Sequence, residues 1–182
     1  GATPVWSPDG SQVSVPELLL AGESLVVRLV VVDLESGEML DISGDDDFVK
    51  DVSPAWSPGG GWIAYGRQFL DEERWTPGRQ IWLVRPDGSE ASIIAPGANL
   101  LPEVSPDGRH AVFRSFTGKY PARLLVARLG DGELEPFEIL VESHRRTTIS
   151  LGRARWLPDG SAIAFVGQDE GGAIGIYAQD FV

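Results

Sequence analysis

The sequence predicts an all-β propeller: an open run of about four four-stranded antiparallel blades, the last of them incomplete. Three observations predict it. A five-residue turn motif recurs four times, a β-rich stretch follows it at a fixed offset, and no segment carries a 3.6-residue apolar rhythm. The motif reads Trp6-Ser7-Pro8-Asp9-Gly10, Trp56-Ser57-Pro58-Gly59-Gly60, Val104-Ser105-Pro106-Asp107-Gly108 and Trp156-Leu157-Pro158-Asp159-Gly160. A period of about 50 residues suits a four-stranded blade and excludes the shorter helical repeats.

Each element has a chemical reason. Proline presets φ for the first corner of a tight turn, aspartate bonds its own backbone, and glycine accepts the left-handed corner. Each copy is therefore a hairpin turn closing a short inner strand, expected at residues 3–6, 53–56, 102–104 and 154–156. Second strands rich in β-branched and aromatic residues fit 62–65, 111–113 and 162–165, with a weaker version at 12–15 before an atypical stretch from Pro16 to Ser24. Third strands fit 29–34, 80–85, 124–129 and 175–179, and outer strands fit 39–42, 90–94 and 137–141. The blades then span 1–52, 53–101, 102–153 and 154–182 of a single propeller segment, with no room for a fourth outer strand. An unclosed array leaves two blade faces and several strand edges bare, so the remaining blades of a longer chain are expected partners.

Composition excludes several functions. Of 182 residues, 42% are hydrophobic and 23% charged, which suits a folded core, and the net charge is −12. No basic run could track a phosphate backbone, so no nucleic-acid partner is expected. Without cysteine there is no disulfide, thiolate metal site or cysteine nucleophile. The longest apolar run, 25–32, contains Arg28 and is far short of the roughly 20 residues that cross a bilayer, so this segment inserts in no membrane.

At the motif residues the chain resembles the TolB-like propeller repeats, relatives of WD-type repeats. Their pattern runs Pro-x-Trp-Ser-Pro-Asp-Gly, then a strand like Ile-Ala-Phe, then Ile-Tyr-x-x-Asp. Pro54-Ala55-Trp56-Ser57-Pro58 with Ile63-Ala64-Tyr65 and Ile81-Trp82-Leu83-Val84 follows it closely, as do Ala164-Phe165 and Ile176-Tyr177. Gly59, Val104 and Leu157 depart from it. Such repeats occur in periplasmic TolB, in extracytoplasmic sensor regions of bacterial Ser/Thr kinases, and in gating propellers of prolyl-oligopeptidase-like peptidases. The fourth repeat looks most like the kinase propellers. The resemblance implies a non-catalytic binding scaffold in the periplasm or another extracytoplasmic space, with an accessory peptidase propeller as the alternative.

The candidate chemistry agrees. No nucleophile elbow, phosphate loop, dinucleotide motif or kinase signature is present, so no catalytic residue and no cofactor is expected. Ser143 and His144 are adjacent, with no acid placed beside them, and neighbours in a chain rarely pair as nucleophile and base. His110 reads as a bonded strand residue. Trp6, Trp56 and Trp156 should pack between blades, and Trp62 and Trp82 should be core as well. Asp45, Asp46 and Asp47 are consecutive, do not match a spaced calcium loop, and read as a solvated loop rather than a metal site. His144, Arg145, Arg146 and Arg153 form a basic stretch read the same way.

Recognition of a protein or small ligand is placed on the face carrying the long loops 43–52, 68–79, 95–101, 115–122 and 142–153. That face brings Asp45, Asp46, Asp47, Phe69, Trp75, Phe116, Tyr120, His144, Arg145 and Arg146 together as binding candidates. Variable loops on a rigid scaffold are where binding resides.

Overall fold

The computed structural model describes residues 3–76, 78–115, 123–135, 137, 142–143, 153–168, 171 and 173–181. Among them every regular element is a strand, and no helix is long and apolar enough to cross a membrane. The first blade comprises β1 (Val5–Trp6), β2 (Gln12–Ala21), β3 (Ser24–Asp33) and β4 (Met39–Asp41). The second has β5 (Val49–Trp56), β6 (Ile63–Phe69), β7 (Arg79–Val84) and the start of β8 (Ser92–Val104). The third continues with the end of β8, β9 (His110–Ser115), β10 (Arg123–Arg128) and β11 (Leu134–Glu135). The fourth holds β12 (Glu142–Ser143), β13 (Arg155–Trp156), β14 (Ala162–Gln168) and β15 (Ile174–Asp180).

Within each blade the strands pair antiparallel, and one parallel bridge, Val27 to Lys50, joins β3 to β5. β12 and β13 both pair with β14, at Glu142–Gln168 and Trp156–Ile163, so they are two pieces of one interrupted inner strand. Among the described residues the array is open, with β1 and β15 pairing within their own blades.

The turn motif closes as its chemistry requires. In the first copy Ser7 Oγ and Ser11 N both donate to Asp9 Oδ1, at 2.6 and 3.0 Å, while Gln12 N donates to Ser7 Oγ at 2.9 Å. Ser105, Asp107 and Arg109 repeat the pattern in the third copy. Leu157 breaks the serine half in the fourth, where Asp159 still accepts from Ser161 N. Asp33, Asp87 and Asp131 close the outer turns in the same way.

Blades stack through three apolar clusters. Leu29, Val31 and Ile42 of the first blade meet Trp56, Ile63 and Tyr65 of the second. Ala64, Ile81 and Leu83 of the second meet Val104, Ala111 and Phe113 of the third. Val112, Leu124 and Val126 of the third meet Ala154, Ile163 and Phe165 of the fourth.

Several expectations change. The stretch from Pro16 to Ser24 is not an irregular insertion, because β2 and β3 form one long hairpin around Gly22, whose φ is +63°. Pro16 fits inside it because its partner Leu29 directs both backbone groups to Ile42 and Ser43, away from β2. A missing N–H at Pro16 therefore costs no ladder bond. The expected loop 95–101 is part of β8, which pairs with β7 from Ser92 to Asn99 through two register shifts and with β9 from Asn99 onward. Asn99 Nδ2, donating to Pro96 O at 2.8 Å, ties the crossover. Likewise β5 begins at Val49 inside the expected loop 43–52. The third outer strand lies at Leu134–Glu135, ahead of the expected 137–141, of which 138–141 fall outside the described residues. Trp56 is buried, but Trp6 is 62% exposed because no blade covers its face.

Two predictions follow from these packing details. Hydrogen bonds from Ser7 and then Ser11 lower the Asp9 carboxyl to about 2, and the other turn aspartates are lowered too. A carboxylate with a depressed folded pKa stabilises the fold above its unfolded value, near ~3.9, and ceases to as pH falls through the folded value. Acid titration followed by circular dichroism should therefore show stability falling between about pH 4 and pH 2, with Asp9→Asn and Asp159→Asn flattening that limb. Tyr65 stands in the register position of Phe113 and Phe165, and its buried hydroxyl has no partner among the described residues. Tyr65→Phe should raise the unfolding free energy by about 1 kcal/mol, measured by urea denaturation; a clear loss would show that the hydroxyl is satisfied.

Candidate functional site

The long-loop rim between the first two blades is built on a buried ion pair. Arg67 on β6 reaches Asp51 on β5 with two nitrogens, at 2.9 and 2.6 Å, and donates to Ser43 O at 2.6 Å. Both side chains are buried. Burial pushes the Asp51 carboxyl up, and the Arg67 guanidinium opposes that shift. Planar bidentate geometry suits arginine rather than lysine here.

The pair carries a second layer. Asp46 lies 3.5 Å from Arg67 and 2.5 Å from Arg74, and Arg74 also pairs with Asp71 at 2.8 Å. Hydrogen bonds to Asp71 and then Asp46 raise the Arg74 guanidinium, and the Asp71 carboxyl is lowered in return. Arg74 stacks 4.1 Å over the Phe69 ring, and Phe69 meets Trp82 edge-on. Arg28 adds bonds to Asp41, Gly44 O and Asp46 O. A short turn, with Trp75 N donating to Asp71 O at 3.0 Å, sets Trp75 outward.

Of the candidates on this rim, Asp46 and Phe69 are brought together by Arg74 and Arg67. Phe69 is buried and acts as a platform for the arginines rather than as a contact surface. Asp45 and Asp47 are exposed beside them, and no group of acidic or histidine side chains among the described residues converges to hold a metal. Trp75 is 53% exposed, and Phe48 on the adjoining loop is 45% exposed. Sequence reasoning missed Phe48; its place directly after Asp45-Asp46-Asp47 was the available signal. Phe116, Tyr120, His144, Arg145 and Arg146 lie outside the described residues. His110 opens β9, its backbone N–H bonded to Ser105 Oγ and its ring edge-on to Phe181 at 5.3 Å.

A second site lies on the axis. Ser53 and Leu101 have φ of +58° and +55°, unusual for residues with side chains, and each precedes a proline at a bulge in an inner strand. Arg153 occupies the matching repeat position in the fourth blade. Its Nη1 donates to Pro54 O at 3.0 Å and Pro102 O at 2.9 Å, so one guanidinium ties three inner strands. This corrects the reading of Arg153 as a solvated loop residue. Its position three residues before Trp156, the offset of Ser53 from Trp56 and of Leu101 from Val104, was the available signal.

Arg155 donates to Glu103 Oε1 at 2.6 Å, and Arg153 lies 3.6 Å from Glu103 Oε2. Burial lowers the Arg153 guanidinium, with neighbouring Arg155 adding to the effect and Glu103 opposing it. The resulting cleft of about 430 Å³ is lined by Val5, Trp6, Ser53, Trp56, Glu103 and Arg155, among others. Arg153→Ala should lower the unfolding free energy by about 2 kcal/mol, since charged hydrogen bonds to two carbonyls are lost. Arg155→Ala, at a more exposed side chain, should change it little. Equal melting of Arg153→Ala and the wild-type chain would show that the axial bonds carry no stability.

No protein-family model and no curated protein matches the sequence. Solved structures do. TolB from Acinetobacter baumannii is 17% identical with a TM-score of 0.61, over 98% of this chain and 40% of that one. Oligogalacturonate lyase from Vibrio parahaemolyticus is 20% identical with a TM-score of 0.65, over 99% of this chain and 50% of that one. A prolyl endopeptidase is 16% identical with a TM-score of 0.64, over 98% of this chain and 26% of that one. The chain thus spans half or less of the length of these structures. At such identities the likeness is one of fold, and the chain folds as an open, TolB-like β-propeller.

Proposed function

We propose that this chain is a non-catalytic scaffold that binds a protein or small ligand at its long-loop rim, as the sensor or interaction region of a larger extracytoplasmic bacterial protein. One observation carries the reading. Phe48 and Trp75 stand exposed on a rim held by the Arg67, Arg74 and Asp46 network, with the acidic side chains of Asp45 and Asp47 exposed beside them. Large aromatics held on a rigid polar frame are the usual centre of a recognition surface, because they bury much area at little entropic cost. The turns on the opposite face are four-residue hairpins whose polar groups bond internally.

The axial cleft favours a second reading, in which the propeller filters access to a serine peptidase domain. The full-length gene separates the two: a kinase and membrane helix support the first, an α/β-hydrolase domain the second.

The rim is tested by immobilising the wild-type chain and its Phe48→Ala and Trp75→Ala variants and exposing them to an envelope extract of the source cell. Each variant should retain the bound partner about tenfold more weakly, the ~1.4 kcal/mol of a central contact, at an unchanged melting temperature. Equal retention by the double variant places binding elsewhere and overturns the reading.

A further inference from the structure

The β2–β3 hairpin extends the apolar part of the rim outward from Phe48. Val27 pairs with Lys50 in parallel, and Leu70 N donates to Phe48 O at 2.9 Å. Two residues back from that bridge, Leu25 stands level with Phe48, past the Val49–Phe69 pair that ends the β5–β6 ladder. Leu25 pairs with Leu20 across the hairpin, and Val27 pairs with Leu18. Leu18, Leu20, Leu25 and Phe48 are 55%, 78%, 46% and 45% exposed, while Val27 is buried.

This exposure does not come from the lack of a preceding blade. Alternation along β3 puts Leu25 and Val27 on the face of Leu29 and Val31, which pack against the second blade. Leu18 and Leu20 share that face as their cross-strand partners. A preceding blade would cover the opposite face, that of Val15 and Leu19. The leucine ridge is bare because the hairpin, with ten residues in each strand, outreaches the seven of β6. A contiguous apolar ridge bordered by polar groups marks an interaction surface.

Charge says what the ridge receives. Glu23 in the hairpin turn, Asp45 and Asp47 ahead of Phe48, and Glu72 and Glu73 in the turn of Arg74 are all exposed. None of the five is ion-paired among the described residues, whereas Arg28, Arg67 and Arg74 are each held by an aspartate. Lys50 is half-buried. The border of the ridge is therefore acidic, on a chain of net charge −12. A second copy would set the same acids against each other, and an anionic lipid surface would be repelled as well.

Taking the long-loop rim as the binding face, we propose that the ridge docks a cationic amphipathic segment of a partner protein. Its aliphatic side chains lie on Leu18, Leu20, Leu25 and Phe48, and its lysines or arginines meet the acidic border.

The probe is a short fluorescent peptide with leucine on one side and lysine on the other, titrated by anisotropy beside its glutamate counterpart. The wild-type chain should bind the lysine peptide and not the glutamate one. The double variant Leu20→Thr, Leu25→Thr keeps strand-forming residues at exposed sites and should bind roughly tenfold more weakly at unchanged circular dichroism. Leu20→Gln alone serves if the double variant unfolds. Asp45→Asn with Asp47→Asn should weaken binding at low salt. Glu35→Gln with Glu38→Gln, an equal change of charge on the short-turn face, should leave it unchanged. Equal binding of the two peptides, wild-type affinity in the leucine variant, or an equal loss in both charge variants overturns the proposal. Leucine-dependent binding to phosphatidylcholine vesicles in place of the peptide, or leucine-dependent self-association, overturns it too and gives the ridge to a lipid surface or a second copy. Any of these failures leaves the rim reading standing while Phe48→Ala and Trp75→Ala still release the envelope partner.

Discussion

Everything in this molecule depends on one constraint: a propeller blade is apolar on both faces and is stable only when each face is covered by a neighbour. The constraint is met through matched rows, with small aliphatics on one blade receiving bulky residues from the next. Interiors tolerate little void volume, so a change in one row must be answered in another. Val104 replaces the tryptophan of the motif in the third blade, and Trp62 and Leu129 pack against that cluster instead. The indole hydrogen bonds, from Trp56 Nε1 to Val5 O and from Trp156 Nε1 to Glu103 O, add direction to an otherwise non-directional contact, which keeps Trp56 and Trp156 in register with the blade behind them.

Above the apolar rows, toward the long loops, each junction carries an arginine. Arg67 finds Asp51 and a carbonyl, the arrangement in which a buried charge is tolerated. Arg79 lies across the second blade at Gly66, where an added Cβ would sit 3.1 Å from its Cδ. Arg114 occupies the register position of Gly66 in the third blade and is 5% exposed, its guanidinium donating no hydrogen bond among the described residues. Burial lowers both Arg79 and Arg114. The charged layer is therefore best compensated between the first two blades, the junction that also presents Phe48 and Trp75.

What could be read from the sequence was what repeats. The turn motif, the four inner strands and the third strands follow from Pro, Asp and Gly chemistry and β-branched runs, all local signals. What could not be read depends on contacts distant in sequence. Pro16 reads as a strand breaker until Leu29 is seen to spend its backbone bonds on Ile42 and Ser43. Residues 95–101 read as a loop because Pro96 and Gly97 punctuate them, while the crossover is set by pairing to two different blades. Arg153 looked like one charge among several, since its acceptors Pro54 O and Pro102 O lie 99 and 51 residues away. Phe69 looked like a surface aromatic because its neighbours are polar, yet those neighbours are the arginines that cover it.

The axial and rim sites differ in how they use backbone and side chains, and this bears on which can change without harm to the fold. On the axis, positive-φ residues at Ser53 and Leu101 accept strain of about 1 kcal/mol each, and Arg153 collects the carbonyls of the prolines that follow them. Altering that site disturbs three inner strands at once. On the rim, Phe48 and Trp75 sit outside the ion-pair frame, and the backbone there is tied by bonds such as Leu70 N to Phe48 O and Trp75 N to Asp71 O. Their side chains can vary while those bonds persist. A scaffold that must keep its blades stacked while its partner surface diverges has that freedom at the rim and not on the axis.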